Sequence, residues 1–206
     1  MEDICRPRRA NASPASRDRI IACYTACVWP ALRDEPELAK AWHAAQPYPH
    51  VVIDDYEPAT PILELLDDEN VARQEGDIFR FEASGNLADL SASFGATLAA
   101  PFARITGKPV TRVELRAYAY RPGHFLLPHT DHQAGLDRRL AFAYYLPSPE
   151  PPTGGELELY RGLASAVRIE PRPNRLVVFD VGETTLHQVR EVLSGLRLSL
   201  AGWFYP

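Results

Sequence analysis

The chain is short of the features that would commit it to several large classes. It has three cysteines, Cys5, Cys23 and Cys27, an odd number gathered near the amino terminus without a framework spacing. Nothing therefore points to a disulfide scaffold, and a reducing cytoplasm is the expected setting. No apolar run approaches the roughly 20 residues that a membrane-spanning helix needs. The opening MEDICRPRR has no apolar segment of the secretory kind, and Glu2, Asp3 and Asp18 speak against a transit peptide. Residues 1–17 read as a flexible leader. Positive charge is not in excess: the formal net charge is −5, which argues against a dedicated nucleic-acid binder. Internal repeats and low-complexity tracts are also missing.

What is present is the composition of an ordinary globule, 46% hydrophobic and 24% charged over 206 residues. That is enough chain to bury a core in a single domain. The 19 prolines fall mostly between apolar runs, a pattern of short strands joined by turns. The first half reads as mainly helical support and lid (residues 18–109). Helices are expected over 17–32, 37–45 and 60–67, the last with Thr60 as N-cap and Pro61 at the first position. The strongest covers 87–105, where Leu87, Leu90, Phe94, Leu98 and Phe102 recur at three or four residues. A strand is expected at 51–53 and another at 78–82, with 67–76 a polar loop.

At Val110 the period changes to two. Val113, Leu115, Ala117 and Ala119 alternate with Glu114, Arg116, Tyr118 and Tyr120. Further strand-like runs follow at 124–131, 139–146, 156–160, 164–169, 175–180, 186–191 and 196–205, separated by turn signals. Eight short strands at this spacing indicate a sandwich or jelly roll. The expected fold class is α+β: a double-stranded β-helix over 110–206 with a supporting amino-terminal helical layer.

The chemistry gathers on residues 120–131, YRPGHFLLPHTD, which end in His129-x-Asp131. On extended chain, residues two apart leave the same face. His187 lies on the seventh expected strand, which in a jelly roll can lie beside the second. Arg197 follows ten residues later. Two imidazoles and a carboxylate suit non-haem Fe(II) and leave coordination positions open. The other candidates, the Cys23/Cys27 pair and His50 alone, are better read as structural.

The motifs YRPGHFLLPHTD, LAFAYYLP at 140–147, GGEL at 154–157, the strand at 186–189 and RLSLAGWF at the carboxy terminus resemble the Fe(II)/2-oxoglutarate-dependent dioxygenases, specifically their prolyl-hydroxylase-like branch. The entry strand PYPHVVIDDY is similar to that of several bacterial members. The resemblance implies His129, Asp131 and His187 as iron ligands, and Fe(II), 2-oxoglutarate and O₂ as the cofactor set. It implies that Arg197, with Ser199 on the same strand face, receives the distal carboxylate of 2-oxoglutarate. Tyr120 and Tyr145 are placed to contact the cosubstrate, Arg138 and His132 to contact substrate. Retention of Asp131 favours hydroxylation over halogenation. Tyr144 should point away from Tyr145, and Trp203 and Phe204 are expected to pack within the sheet.

The implied activity is hydroxylation of an unactivated C–H with release of succinate and CO₂. The substrate is either an amino-acid-like small molecule or a prolyl or other peptidyl residue, and the absence of an evident docking domain tilts toward the small molecule. The competing functions are a non-catalytic metal-binding β-sandwich sensor and a nucleic-acid demethylase of the same fold; the intact Asp131 and Arg197 disfavour the first, the acidic balance the second. No nucleic-acid or membrane partner is expected, and the oligomeric state stays open.

Overall fold

The computed structural model describes residues 29–58 and 71–206. The leader, the three cysteines and the helix expected over 60–67 lie outside the described residues. Of the helix expected over 17–32 only 29–32 are described, and these are not helical.

Helix α1, Glu35–Ala44, begins with Pro36 in its first turn and acidic Glu35 and Glu37 at its positive end. Helix α2, Ala88–Thr106, buries Leu90, Phe94, Leu98, Phe102 and Ile105. It stops at Gly107, whose φ of 71° lets its N–H close on the Ala103 carbonyl. Pro101 sits inside it.

The strands are β1 (His50–Ile53), β2 (Ala72–Gly76), β3 (Phe79–Ala83), β4 (Arg112–Tyr120), β5 (Phe125–His129), β6 (Leu140–Tyr145), β7 (Thr153–Gly154), β8 (Leu157–Arg161), β9 (Ala164–Ile169), β10 (Leu176–Asp180), β11 (His187–Val189), β12 (Val192–Ser194) and β13 (Arg197–Tyr205). One curled antiparallel sheet runs in the order β1-β10-β6-β13-β4-β3-β5-β11-β8-β9, with β2 paired to β3. This is the jelly-roll arrangement. One wall, β1-β10-β6-β13-β4, faces the smaller wall β5-β11-β8-β9, and β3 joins them by pairing with both β4 and β5. Strands β7 and β12 form a separate small ladder.

Two expectations need revision. Residues 72–76 are a strand rather than loop, although every residue of it is exposed; with no apolar face, it has no period to read. The run expected over 186–191 is strand only over β11, His187–Val189; Arg190 and Glu191 lie outside any strand, between it and β12.

The larger wall separates two kinds of interior. On its helix side Leu115, Phe142, Leu200 and Phe204 pack with Phe94 and Phe102 of α2 in the main core. Phe94 stacks on Phe142 at 4.6 Å between centroids. On the other side Ala141, Ala143, Tyr145, Val177 and Phe179 face Leu157 and Leu159 of the smaller wall. The gap between the walls is where the chemistry-bearing residues meet.

Candidate active site

His129 ends β5 and His187 begins β11. The two strands are antiparallel neighbours, and the histidines stand in direct register. Asp131 follows two residues after His129, so the three side chains converge. The ligand atoms of His129, Asp131 and His187 lie within 4.8 Å of one another. His129 Nε2 is 3.8 Å from Asp131 Oδ1, and His187 Nε2 is 3.5 Å from Asp131 Oδ2. Each imidazole uses its other nitrogen on a backbone carbonyl: His129 Nδ1 lies 2.9 Å from the Leu127 oxygen, His187 Nδ1 3.1 Å from that of Thr185. A carbonyl can only accept, so Nδ1 is the protonated nitrogen in both rings. Both Nε2 lone pairs are thereby aimed at the shared space, the arrangement a metal ligand needs.

Burial pushes the His187 imidazole down to about 4, against the negative charge of Asp131; the neighbouring His129 also lowers it. A neutral ring at neutral pH is the form that can donate its lone pair. Phe179 packs edge-on against His187 at 4.7 Å.

The group fronts a cavity of about 240 Å³ between the walls. Arg197, Ser199, Ala201 and Trp203 project into it from β13, and Tyr118 and Tyr120 from β4. Arg197 is only 3% exposed. Its Nη1 donates to Ser199 Oγ at 3.2 Å, and its guanidinium lies 4.8 Å from the Tyr120 ring centroid and 5.0 Å from that of Tyr145. No carboxylate pairs with it among the described residues, and both Arg197 Nε and the Tyr145 hydroxyl are buried without a hydrogen-bond partner there. A buried cation beside a buried unpaired hydroxyl is costly on its own. The cost is removed by an anionic ligand entering the cavity. This donor set and this guanidinium therefore fit Fe(II) and a dicarboxylate cosubstrate respectively.

Most of the residues singled out from the sequence meet here: His129, Asp131, His187, Arg197, Ser199, Tyr120 and Tyr145. Tyr144 points the other way, into the helix-side core, and donates to Asn174 Oδ1 at 2.9 Å. Arg138 sits at the rim, its Nη1 3.3 Å from the Asp131 carbonyl and its guanidinium 3.7 Å over the Trp203 ring. His132 does not line the cavity; it is exposed and faces Glu183 at 3.8 Å. Trp203 does line it, where sheet packing alone was expected, while Phe204 packs in the core as anticipated.

The structure adds residues the sequence did not mark. Tyr48, ahead of β1, sends its hydroxyl to the Leu186 carbonyl at 3.1 Å, directly before His187. Burial and the negative charge of Asp131 both raise its phenol. Phe79 and Phe81 of β3 wall the cavity, as does Tyr118. The alternation in β4 had marked Tyr118 as belonging to one face, but could not say that this face is enclosed.

Comparison with known proteins agrees with this geometry. Residues 115–205 match the family model described as the 2OG-Fe(II) oxygenase superfamily. Residues 115–205 belong to that superfamily. Its match spans β4 to β13 and so contains the whole His/Asp/His group and Arg197. Among curated relatives the chain is 32% identical over 181 residues to prolyl 3-hydroxylase OGFOD1 of Xenopus laevis, covering 77% of this chain and 35% of that protein. The chain thus spans about a third of the length of the curated relatives it matches. Among solved structures, a prolyl-4-hydroxylase of Pseudomonas putida superposes with a TM-score of 0.67 at 22% identity, over 82% of this chain and 98% of that one. A Trichoplax adhaerens prolyl hydroxylase, solved in complex with a hypoxia inducible factor peptide fragment, gives 0.59 at 14% identity over 95% and 94%. These superpositions establish the shared fold. The family's cofactors are Fe(II) and 2-oxoglutarate, and the oxygenase site described above has the donors to receive both. No helix among the described residues is long and apolar enough to cross a membrane.

Proposed function

We propose that the protein is an Fe(II)- and 2-oxoglutarate-dependent hydroxylase acting on a peptidyl residue, with proline the first choice. The observation that carries this is the meeting, in one cavity, of the His129/Asp131/His187 group with the buried Arg197, which has no carboxylate partner among the described residues. A metal-binding sensor has no need of a buried cation facing its metal ligands. A nucleic-acid demethylase needs a basic, aromatic groove for the strand, and the net charge of −5 is against it.

In this reading His129, Asp131 and His187 hold Fe(II). When bound, iron with 2-oxoglutarate activates O₂, yielding succinate, CO₂ and a hydroxylated C–H. The chain's own part is binding and positioning. Arg197 and Ser199 take the distal carboxylate of 2-oxoglutarate, with the Tyr145 hydroxyl as a further donor, and Tyr120 gives the guanidinium an aromatic floor. Asp131 keeps a carboxylate among the ligands. Phe79, Phe81, Phe179 and the alanines of β6 keep water from the reacting carbon. Arg138 and Trp203 meet the substrate at the mouth, and His132 stands outside.

The peptidyl choice replaces the small-molecule tilt drawn from chain compactness. The named relatives are prolyl hydroxylases. The single-domain reading of residues 1–206 belongs to the same proposal, supported by the continuity of the sheet across the described residues. So does a cytoplasmic setting, which rests on composition.

Anaerobic addition of Fe(II) and then 2-oxoglutarate to metal-free protein is the deciding experiment. A visible charge-transfer band is expected, absent with His129→Ala and needing more 2-oxoglutarate with Arg197→Ala. Prolyl peptides should then release succinate in the presence of O₂. Folded wild-type protein that takes up no Fe(II) and shows no band would remove the oxygenase reading.

A further inference from the structure

The face of β4 that enters the cavity does not end at Tyr118. Arg116 lies two residues outward on the same strand, hence on the same face and about 7 Å further along. Its register partner on β13 is Ala201, a residue of the cavity wall. Arg116 is exposed and makes no ion pair among the described residues. The nearest carboxylate on that strand face is Glu114, and it is already engaged: Arg112 Nη1 and the Tyr205 hydroxyl both donate to it. Arg138 lies over Trp203 of the same cavity wall, with its Nε buried and unpartnered and no carboxylate paired to it among the described residues. The charges of both guanidinium groups are felt at Tyr118. Burial raises its phenol, the charges of Arg116 and Arg138 act the other way, and Asp131 adds to the rise.

Two arginines without carboxylate partners, flanking the mouth of one cavity, are unusual in a chain whose acids outnumber its bases, 27 to 22. Elsewhere arginines pair readily: Arg80 with Glu75, Arg121 with Glu82, Arg104 with Glu35 and Arg175 with Asp54. An anion supplied from outside completes the mouth.

We propose that the protein selects peptides carrying an acidic residue beside the residue it oxidises, with Arg116 as the specificity-determining group and Arg138 as the second cation. The inference rests on the oxygenase reading of the cavity. A peptide side chain is favoured over the α-carboxylate of a free amino acid on grounds of reach. That carboxylate lies within about 4 Å of the carbons of its own side chain, whereas Arg116 is not among the residues lining the cavity and lies about 7 Å along β4 from Tyr118, which is. A neighbouring residue of an extended peptide, about 3.5 Å further per residue, covers the distance.

The test uses prolyl peptides that differ only in having Glu, Gln or Lys at each of the three positions on either side of proline. Their binding is measured anaerobically on protein loaded with Mn(II) and 2-oxoglutarate, and their turnover by succinate release with Fe(II) and O₂. Wild type should prefer Glu over Lys at one or two of these positions by roughly tenfold, falling with added salt. Arg116→Glu should invert that preference, and Arg116→Gln should flatten it; the Fe(II)/2-oxoglutarate band of each variant reports that its site is assembled. The same ranking in wild type and Arg116→Glu, or tighter binding of free proline than of every peptide, overturns the proposal. A wild-type protein without the band would instead count against the oxygenase reading itself.

Discussion

His129 and His187 face each other across a single pair of antiparallel strands, their ring centroids 4.3 Å apart. Neither ring donates to the other; each spends Nδ1 on the backbone carbonyl two residues before it. The pair is thus set in place before any ion arrives. Replacing either with alanine should lower Co(II) or Fe(II) affinity by more than about a hundredfold, the upper range for loss of even an outer contact. Equilibrium dialysis of the metal-free protein measures this directly, and His129→Ala should retain the wild-type melting temperature because that ring is half-exposed.

Arg197 predicts an opposition between stability and binding. Its charge is buried with an unpartnered Nε, and such a charge costs the fold more than an apolar side chain of similar size. Arg197→Met should leave the ligand-free protein as stable or more stable, by about 1 kcal/mol. The same change should raise the 2-oxoglutarate requirement at least a hundredfold, since a bidentate charge-assisted contact is lost. Thermal unfolding with and without 2-oxoglutarate separates the two effects.

Glu158 should govern acid stability. Its side chain is 1% exposed. Burial alone would raise its carboxyl, but Ser165, Arg168, Gln188 and Arg190 all donate to it and hold it at about 2, against an ordinary 4.5. A carboxylate depressed in the folded state stabilises fully above its unfolded value and loses that contribution as pH falls toward the folded one. The window is therefore pH 4.5 down to 2, and the contribution is about 3 kcal/mol. Urea unfolding of Glu158→Gln should show lower stability at pH 7 and a flatter profile across that window. Because Glu158 ties β8 and β9 to Gln188, the residue after His187, an unchanged profile would mean that this carboxylate does not anchor β11.

Gly202 is a steric requirement. A Cβ there would lie 1.9 Å from the Glu114 carbonyl oxygen and 2.8 Å from the Leu115 Cα. Both are backbone atoms of the paired strand and cannot swing away. Gly202→Ala should cost about 3 kcal/mol or more, as the overpacking of a rigid interior does, and circular dichroism melting should detect it without any assay of activity.

The parts legible in the sequence were those with a period or a fixed chemical spacing. The helix of Leu90, Phe94 and Leu98 and the strand ending at Tyr120 announced themselves by burial on one face. His129 and Asp131 were readable as a pair because strand geometry brings residues two apart to one side, and His187 and Arg197 from the order of motifs that resembles the dioxygenases. Strand β2 was not, since Ala72–Gly76 is exposed throughout and is held by its ladder to β3 alone. The two residues of β7 were too few to carry a pattern. Tyr48 escaped because its role depends on a carbonyl 138 positions away, a relation no local pattern encodes. Trp203 and Tyr118 were assigned to the proper strands, but alternation gives a side chain's face without saying whether that face looks on packing, solvent or an enclosed cavity.

Strand β13 divides its labour by parity. Odd positions Arg197, Ser199, Ala201 and Trp203 look into the cavity; even positions Leu198, Leu200 and Phe204 pack with the helix side, and Gly202 makes room for the neighbouring strand. Substitution at odd positions can therefore change what the cavity accepts while the fold's support stays intact, and descendants of such a chain can diverge in substrate one residue at a time. Insertion of a single residue has no such tolerance. It would exchange the two sets at a stroke, placing an arginine among the phenylalanines of the core and leucines beside the His129/Asp131/His187 group, so lineages are expected to explore this strand by replacement and never by a change of length.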